Sequence, residues 1–303
     1  MYQAHFGLTQ KPFGLTPNTA FYCDHPSHRQ ALNTLLLALR TGEGFIKLTG
    51  EIGLGKTMLC RQLLRSLENE QPAFAIAYLP DPLLDAAGLR RAVAREFGLR
   101  VPHGENSHDL MQALQHHLIG LRQRNQRPVV IVDEAQSLPE TAMEALRLLT
   151  NLETEQEKLL QVVLIGQPEL DQRLASASLR QLRQRIAFSC QLQPLSTEQV
   201  REYIDHRLAI AGRSQPGLFD AAAIKLLHRA SGGVPRLINL LAHKALINAY
   251  GRGDQTIGRR HLRAAIADQN QTAATAAHRG WRGAAVLAML ALTGALWWIG
   301  GQA

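Results

Sequence analysis

The sequence predicts an α/β protein: a parallel five-stranded sheet flanked by helices, then a C-terminal α-helical lid and one C-terminal transmembrane helix. Three observations predict this. A glycine-rich turn with the spacing G-x-x-x-x-G-K-T begins at Gly50, apolar runs alternate with helical patterns up to about residue 193, and only helical patterns follow from Pro194. An uncharged apolar run near the C-terminus supplies the last element.

The composition places the chain among globular proteins of a reducing compartment. Its 303 residues are 46% hydrophobic and 19% charged, which excludes a disordered chain and allows a sizeable core. The three cysteines are Cys23, Cys60 and Cys190. They are far apart and lack metal-ligand spacing, so we interpret them as reduced thiols.

The glycine-rich turn is the first candidate site. An apolar strand over residues 45–48 leads into it and a helix with one apolar face follows. In this pattern, the P-loop, the backbone N–H groups surround phosphate oxygens, Lys56 reaches the β- and γ-phosphates, and the Thr57 hydroxyl binds magnesium. The alternative is an ordinary glycine turn. The sequence predicts binding of ATP with Mg²⁺ by Gly50, Gly53, Gly55, Lys56 and Thr57.

Two acids follow the next strongly apolar strand, over residues 129–132. We expect this strand to neighbour the P-loop strand, which would place Asp133 as a magnesium ligand. Glu134 would then orient and polarise the attacking water. Two carboxylates after a strand also occur as helix N-caps. The P-loop upstream is what favours the catalytic interpretation of this pair.

Three further polar residues are candidate catalytic groups. Gln167 follows the apolar strand that ends at Gly166, where it would lie between Asp133 and the γ-phosphate as a sensor of hydrolysis; it could equally be a turn residue. Arg185, with Arg183 as second choice, precedes the fifth strand and would reach the nucleotide of a neighbouring subunit. The alternative for both arginines is a solvated helix surface.

The predicted domains are a lead segment with the first helix (1–40), a P-loop core (41–193), the helical lid (194–268), a linker (269–282) and the apolar run (283–301). Arg236 follows the Gly-Gly-Val-Pro turn at a helix start. From there it would contact bound nucleotide and report its state by moving the lid.

The net charge of +8 is confined to the C-terminal third. Residues 1–200 contain 20 basic and 20 acidic side chains, whereas residues 201–303 contain 13 and 5. Nucleic-acid phosphates or an anionic lipid surface would suit this distribution. A solvated helical surface is the alternative.

The apolar run at 283–301 is long enough to span a bilayer. Arg279 and Arg282 precede it, and by the positive-inside rule they place the P-loop core in the cytoplasm. We therefore expect a single-pass inner-membrane protein. A buried or interfacial helix is the alternative, because alanine and glycine make the run only moderately hydrophobic.

With these elements together, the chain resembles the AAA+ ATPases, and within them the ExeA-like (general secretion pathway protein A) and MshM-like pilus-biogenesis proteins. The resemblance rests on 6–17, 50–57, 129–136, 164–170, 182–186 and 233–239. It implies a homo-oligomeric, membrane-anchored P-loop NTPase that hydrolyses ATP to assemble or localise an envelope secretion or type IV pilus apparatus. Its implied partners are inner-membrane components and a secretin or pilus assembly components.

The sequence departs from the secretion branch in one respect. Members of that branch continue into a periplasmic peptidoglycan-binding domain, and this sequence ends two residues after the apolar run. A pilus-type or exopolysaccharide-locus ATPase is therefore the better match. Two alternatives stay open: a DNA-binding regulator of the transposition-targeting type, which the apolar run disfavours, and a slowly hydrolysing nucleotide-dependent scaffold.

Overall fold

The computed structural model describes residues 1–80, 82–101, 107–152 and 158–271, which divide into two compact units. The sheet unit comprises Thr16–Leu195 together with Val234–Arg236. The helical unit comprises residues 1–15, 196–233 and, within the described chain, 237–271.

The sheet unit contains the parallel five-stranded sheet that the sequence predicts. Its strands are β1 Phe45–Thr49, β2 Phe74–Leu79, β3 Arg127–Val132, β4 Gln161–Gly166 and β5 Ile186–Gln191. All neighbouring pairs are parallel and the order is β2-β3-β4-β1-β5. The carboxyl ends of all five strands therefore lie at one edge, where open α/β sheets bind ligands.

The strand order corrects one expectation. The strand before Asp133 does not neighbour the P-loop strand, because β4 lies between β1 and β3. Val163 of β4 pairs with Ile46 of β1 on one side and with Ile131 of β3 on the other. An apolar run indicates that a strand is buried on both faces, but it does not identify its neighbours.

The helices follow in chain order. They are α1 Tyr2–His5, α2 Pro26–Thr41, α3 Lys56–Glu68, α4 Ala86–Glu96, α5 Ser107–Gln123, α6 Glu140–Leu149, α7 Glu169–Leu174, α8 Arg180–Gln184, α9 Thr197–Ile210, α10 Ala221–Ser231, α11 Pro235–Gly251 and α12, over residues 259–271. Sequence patterns predict a helix from residue 136, but Pro139 delays the start of α6 to Glu140 and a 3₁₀ turn precedes it.

Helices cover both faces of the sheet, and strand residues alternate between two apolar cores. Val163 packs in the core shared with α2 and α3, whereas its neighbour Val162 packs in the core shared with α4, α5 and α6. Every residue of β4 is buried. The strand ends that carry the polar residues of the site are thus held by a rigid layer.

The lead segment divides between the two units. In the helical unit, the buried guanidinium of Arg207 donates a 2.6 Å hydrogen bond from Nε to the Pro12 carbonyl oxygen. In the sheet unit, Arg61 Nη1 donates to the Pro17 carbonyl oxygen at 2.7 Å. The chain passes from one unit to the other at residues 15 and 16.

The predicted apolar span at 283–301 and linker residues 272–282 lie outside the described residues. Linker residues 269–271 are the end of α12. Within the part of the chain that the structure describes, no helix combines the length and hydropathy that a bilayer crossing requires.

Candidate active site

The P-loop joins strand β1, which lies between β4 and β5, to α3. Gly53 and Gly55 adopt left-handed backbone conformations, with φ of 86° and 95°, which only glycine adopts without strain. Gly55 is the N-cap of α3. The loop therefore leads directly to a helix N-terminus, whose N–H groups and positive dipole end suit phosphate.

Glycine is also required at Gly53 because another backbone lies against it. A Cβ at Gly53 would lie 2.7 Å from the Cβ of Arg236. The backbone N–H of Arg236 donates a 3.2 Å hydrogen bond to the Gly53 carbonyl oxygen. The structure thus places Arg236, an exposed residue, in direct contact with the P-loop.

Lys56 is buried in the P-loop. Its Nζ donates to the carbonyl oxygens of Gly50, at 2.7 Å, and Glu51, at 3.1 Å. Burial lowers the pKa of Lys56, and the charges of Glu134 and Asp133 oppose that shift. The ammonium therefore lies in the field of Glu134, the predicted catalytic acid, and of Asp133, the predicted magnesium ligand.

Asp133 and Thr57 carry neighbouring side-chain oxygens. The Asp133 carboxylate is buried and accepts the Glu134 N–H at 2.9 Å. Burial raises the pKa of Asp133, and the Glu134 N–H and the nearby Thr57 hydroxyl partly counter that shift. Hydroxyl and carboxylate oxygens are donors that Mg²⁺ prefers, so this pair fits the ion that the P-loop implies.

Magnesium at such sites is bound by few protein groups. No cluster of three or more His, Cys, Asp or Glu side chains with metal-binding geometry occurs among the described residues. Mg²⁺ usually keeps several water ligands and takes one or two carboxylates plus substrate phosphates.

Glu134 is held in a fixed orientation. Its backbone is left-handed, with φ 51° and ψ 37°, which is uncommon for a residue other than glycine. Its Oε2 accepts hydrogen bonds from Gln136 Nε2 at 2.6 Å and from Gln167 Nε2 at 3.0 Å. Burial acts to raise the pKa of Glu134, but these bonds and the charge of Lys56 outweigh it and lower the pKa.

Gln136 is a site residue that sequence reasoning missed. The sequence pattern predicts only the start of a helix at this residue. Its Oε1 accepts the backbone N–H of Gln167 at 3.0 Å, and a Cβ at Gly166 would lie 2.9 Å from that oxygen. The one signal in the sequence is an amide two residues after an acid pair, together with a glycine at the end of another strand.

His28 is a second missed residue. It lies in α2, buried, and its Nε2 is 2.9 Å from the carbonyl oxygen of Leu54 within the P-loop. A Cβ at Gly55 would lie 3.2 Å from the same nitrogen. Burial lowers the pKa of His28, which favours the neutral imidazole as a support for the loop.

The two predicted arginines lie apart from this cluster. Arg185 is half-buried, and its Nη1 contacts the Thr150 hydroxyl at 3.2 Å and the Arg147 carbonyl oxygen at 3.4 Å. Arg183 is exposed on α8. Among the described residues, no hydrogen bond joins either side chain to the P-loop.

The structure therefore brings most of the predicted site residues to one edge of the sheet. They comprise the P-loop residues, both acids, Gln167 and the backbone of Arg236, with Gln136 and His28 added. Together they provide a phosphate cradle, a cation, a pair of metal ligands and an ionised carboxylate at a fixed position. Transfer of a phosphoryl group to water requires this combination.

The sequence and fold are similar to those of known proteins. A family model described as an AAA domain matches residues 39–174. The chain is 46% identical over 257 residues to general secretion pathway protein A of Aeromonas hydrophila, which is 85% of this chain and 46% of that protein. The chain thus spans about half the length of this curated relative.

Three solved structures illustrate the shared fold. The Aeropyrum pernix ORC2 protein in ADPNP–ADP complexes is 16% identical, with a TM-score of 0.57, 84% of this chain and 72% of that chain covered. The Aeropyrum pernix ORC1 protein in complex with DNA is 23% identical, with a TM-score of 0.58, and the match covers 86% of this chain and 69% of that chain. The Drosophila ORC bound to DNA is 18% identical, with a TM-score of 0.61, and the match covers 88% of this chain and 65% of that chain. At these identities the likeness concerns the fold.

Proposed function

The chain belongs among the AAA-domain proteins similar to general secretion pathway protein A, and on that premise we propose that it hydrolyses ATP to ADP and phosphate. One observation carries the proposal. The carboxylate of Glu134 is ionised, held by two amides, and placed in the same cluster as Lys56 and the Asp133–Thr57 pair.

In the proposed reaction, water attacks the γ-phosphate and the bond from the γ-phosphorus to the bridging oxygen breaks. Glu134 accepts a hydrogen bond from that water and polarises it. Because its pKa is lowered, Glu134 orients the water as a carboxylate and does not retain a proton at neutral pH. The proton leaves with inorganic phosphate.

The cations of the site act on the charge of the transferred group. Lys56 would contact the β- and γ-phosphates, and Thr57 and Asp133 would hold magnesium, which would neutralise part of the phosphate charge. Gln167, fixed to Glu134, would respond to loss of the γ-phosphate. Arg236 would sense bound nucleotide through its contact with Gly53.

We also infer that the active form is a homo-oligomer in which an arginine of one subunit completes the site of the next. The support is that neither Arg183 nor Arg185 is hydrogen-bonded to its own P-loop among the described residues. Arg183 is the more exposed of the two, while Arg185 is engaged by α6 and the residue that follows it. An arginine that reaches the nucleotide of a neighbouring subunit, called an arginine finger, raises the hydrolysis rate by about 10³–10⁵-fold.

The cellular role that we propose is support of an envelope secretion or pilus apparatus, including its secretin, from the cytoplasmic face of the inner membrane. It is supported by the 46% identity to general secretion pathway protein A, by the apolar run at 283–301 and by the arginines that precede it. The concentration of net positive charge in residues 201–303 suits the anionic surface of that membrane.

Phosphate release by the full chain with ATP and Mg²⁺ tests the proposed activity. We expect steady-state turnover that is lost in Lys56→Ala and retained in Lys225→Ala, an exposed lysine of α10 that serves as the control. Turnover below about 0.01 s⁻¹ in the assembled protein would instead favour the scaffold alternative. Equal turnover in both variants would exclude the P-loop as the catalytic site.

A further inference from the structure

Arg173, on the short helix α7, contacts the turn that carries Glu134. The residue is half-buried, and its Nη1 donates a hydrogen bond to the backbone carbonyl oxygen of Gln136. α7 begins two residues after Gln167, so this bond joins the segment that follows β4 to the segment that follows β3. The guanidinium thus holds the backbone of a residue whose side chain contacts Glu134 directly.

The Gln136 carbonyl oxygen needs a donor from outside its own turn. Residues 135–137 form a 3₁₀ turn, and continuation of that turn would require the N–H of residue 139. Residue 139 is proline, which has no N–H and disfavours helical backbone at the residue before it. Leu138 is accordingly extended, with φ −60° and ψ 132°. Arg173 supplies the hydrogen bond, and no other donor to this oxygen occurs in the described part of the chain.

The position of Arg173 is fixed because α7 itself is anchored. Leu170 and Leu174 of α7 are buried in the apolar core. Lys47 of β1, whose side chain is only 14% exposed, donates to the carboxylate of Asp171. The helix is therefore joined both to the P-loop strand and to the turn after β3. An ionised donor also makes a stronger hydrogen bond to a carbonyl oxygen than a neutral donor does.

We propose that Arg173 is a positioning residue that keeps the amides of Gln136 and Gln167 on Glu134; its role in catalysis rests on the hydrolysis proposed above. With the Gln136 backbone held, its side chain donates to Glu134 Oε2 at 2.6 Å and accepts the Gln167 backbone N–H at 3.0 Å. Loss of the guanidinium leaves the Gln136 carbonyl oxygen without its donor, and both contacts of the Gln136 side chain loosen.

The effect falls on turnover and not on nucleotide affinity. Among the described residues, no hydrogen bond joins the Arg173 side chain to the P-loop, and Lys56 is held by the carbonyl oxygens of Gly50 and Glu51. The phosphate cradle therefore keeps its geometry when Arg173 is replaced. A residue that acts only on the orientation of Glu134 lowers kcat and leaves KM nearly unchanged.

Two substitutions separate the hydrogen bond from the bulk of the side chain. Arg173→Met keeps a long unbranched apolar side chain without a donor, whereas Arg173→Lys keeps a charged donor. Arg91→Met, at an exposed arginine of α4, is the matched control. Binding of a non-hydrolysable ATP analogue counts the folded sites in each preparation, so that a loss of folded protein is not mistaken for a loss of turnover.

Phosphate release by the full chain with ATP and Mg²⁺ is the first measurement. We expect Arg173→Met to lower kcat per folded site by about tenfold or more and to change KM by less than about twofold. Arg173→Lys should regain most of the lost turnover, and Arg91→Met should match the unaltered chain. If the unaltered chain hydrolyses ATP and Arg173→Met has the same kcat, the proposal is overturned.

The second measurement does not depend on hydrolysis. In the full chain with ¹⁵N-labelled glutamine, NMR follows the exchange with water of the side-chain amide protons of Gln136 and Gln167, and Gln136→Ala and Gln167→Ala assign the signals. We expect faster exchange in Arg173→Met than in Arg173→Lys, because the contacts with Glu134 loosen. This result in a chain that releases no phosphate would refute the proposed hydrolysis and leave Arg173 as the residue that holds both amides. Unchanged exchange in Arg173→Met would overturn the inference in either case.

Discussion

Gln167 Nε2 donates a 3.0 Å hydrogen bond to Glu134 Oε2, which joins a residue after β4 to a residue after β3. Gln136 donates to the same oxygen and accepts from the Gln167 backbone. The orientation of the proposed water-activating carboxylate is therefore coupled to the strand beside the P-loop strand.

Removal of the Gln136 amide should slow hydrolysis without weakening nucleotide binding. Gln136→Ala removes one hydrogen bond from Glu134 and the acceptor of the Gln167 N–H, so we expect kcat to fall by about tenfold or more. The pKa of Glu134 should rise, which moves the acid limb of the pH–rate profile to higher pH. Measurement of kcat as a function of pH tests both effects, with exposed Gln181→Ala as the control variant. If the acid limb does not move in Gln136→Ala, Gln136 does not act on Glu134.

Two glycines with nearly equal φ allow strain to be separated from close approach. Gly53 has φ 86°, and a Cβ added there would lie 2.7 Å from its nearest neighbour, whereas Gly98 has φ 85° and nothing within 4 Å. Gly98→Ala should cost about 1 kcal/mol of unfolding free energy from the left-handed backbone alone. Gly53→Ala should lose more unfolding free energy than Gly98→Ala and raise the nucleotide Kd by about tenfold or more, because Arg236 must move. Equal losses of unfolding free energy in the two variants, with nucleotide affinity retained, would refute the close-approach argument.

Stability should decrease in mildly acidic solution because of His28. Its folded pKa lies below the ordinary 6.5, so the unfolded chain binds more protons below that pH. This contribution to stability is complete above about pH 6.5 and is lost as the pH falls toward the folded pKa. His28→Gln keeps a nitrogen donor without titration. Thermal unfolding of both proteins from pH 7.5 to 5 should show a smaller loss of stability in the variant. If stability falls equally with pH in both proteins, His28 is not the cause of the decrease.

Mixing experiments should identify the arginine that acts between subunits. If a finger acts in trans, an arginine-deficient subunit still has an intact Glu134 and regains turnover when a Glu134→Gln neighbour supplies the arginine. We expect such recovery for Arg183→Ala or for Arg185→Ala, measured by phosphate release across mixing ratios. Arg65→Ala, an exposed arginine of α3, is the control and should be active alone. Failure of both mixtures to recover in stable mixed oligomers would contradict a trans arginine.

Much of the fold was predictable because its signals are local. The five strands are short apolar runs, and the P-loop is defined by the spacing of Gly50, Gly55, Lys56 and Thr57. The strand order was not predictable in the same way. Whether β3 or β4 lies beside β1 depends on packing between segments far apart in the chain, which periodicity does not record.

The candidate site shows the same division. Asp133 and Glu134 follow from a buried strand that ends in two acids, but the amides that hold Glu134 depend on contacts across two strands. His28 reaches Leu54 from a helix whose pattern indicates only an apolar face. Single polar side chains that support a loop through long-range contacts have no periodic signature.

The central claim is that Glu134 orients the attacking water in an otherwise intact nucleotide site. The most direct test compares Glu134→Gln with Glu68→Gln, an exposed glutamate at the end of α3 that undergoes the same chemical change. We predict that Glu134→Gln binds ATP as tightly as the unaltered chain but releases phosphate at least about a hundredfold more slowly, while Glu68→Gln is unaffected. Undiminished turnover by Glu134→Gln would contradict the account.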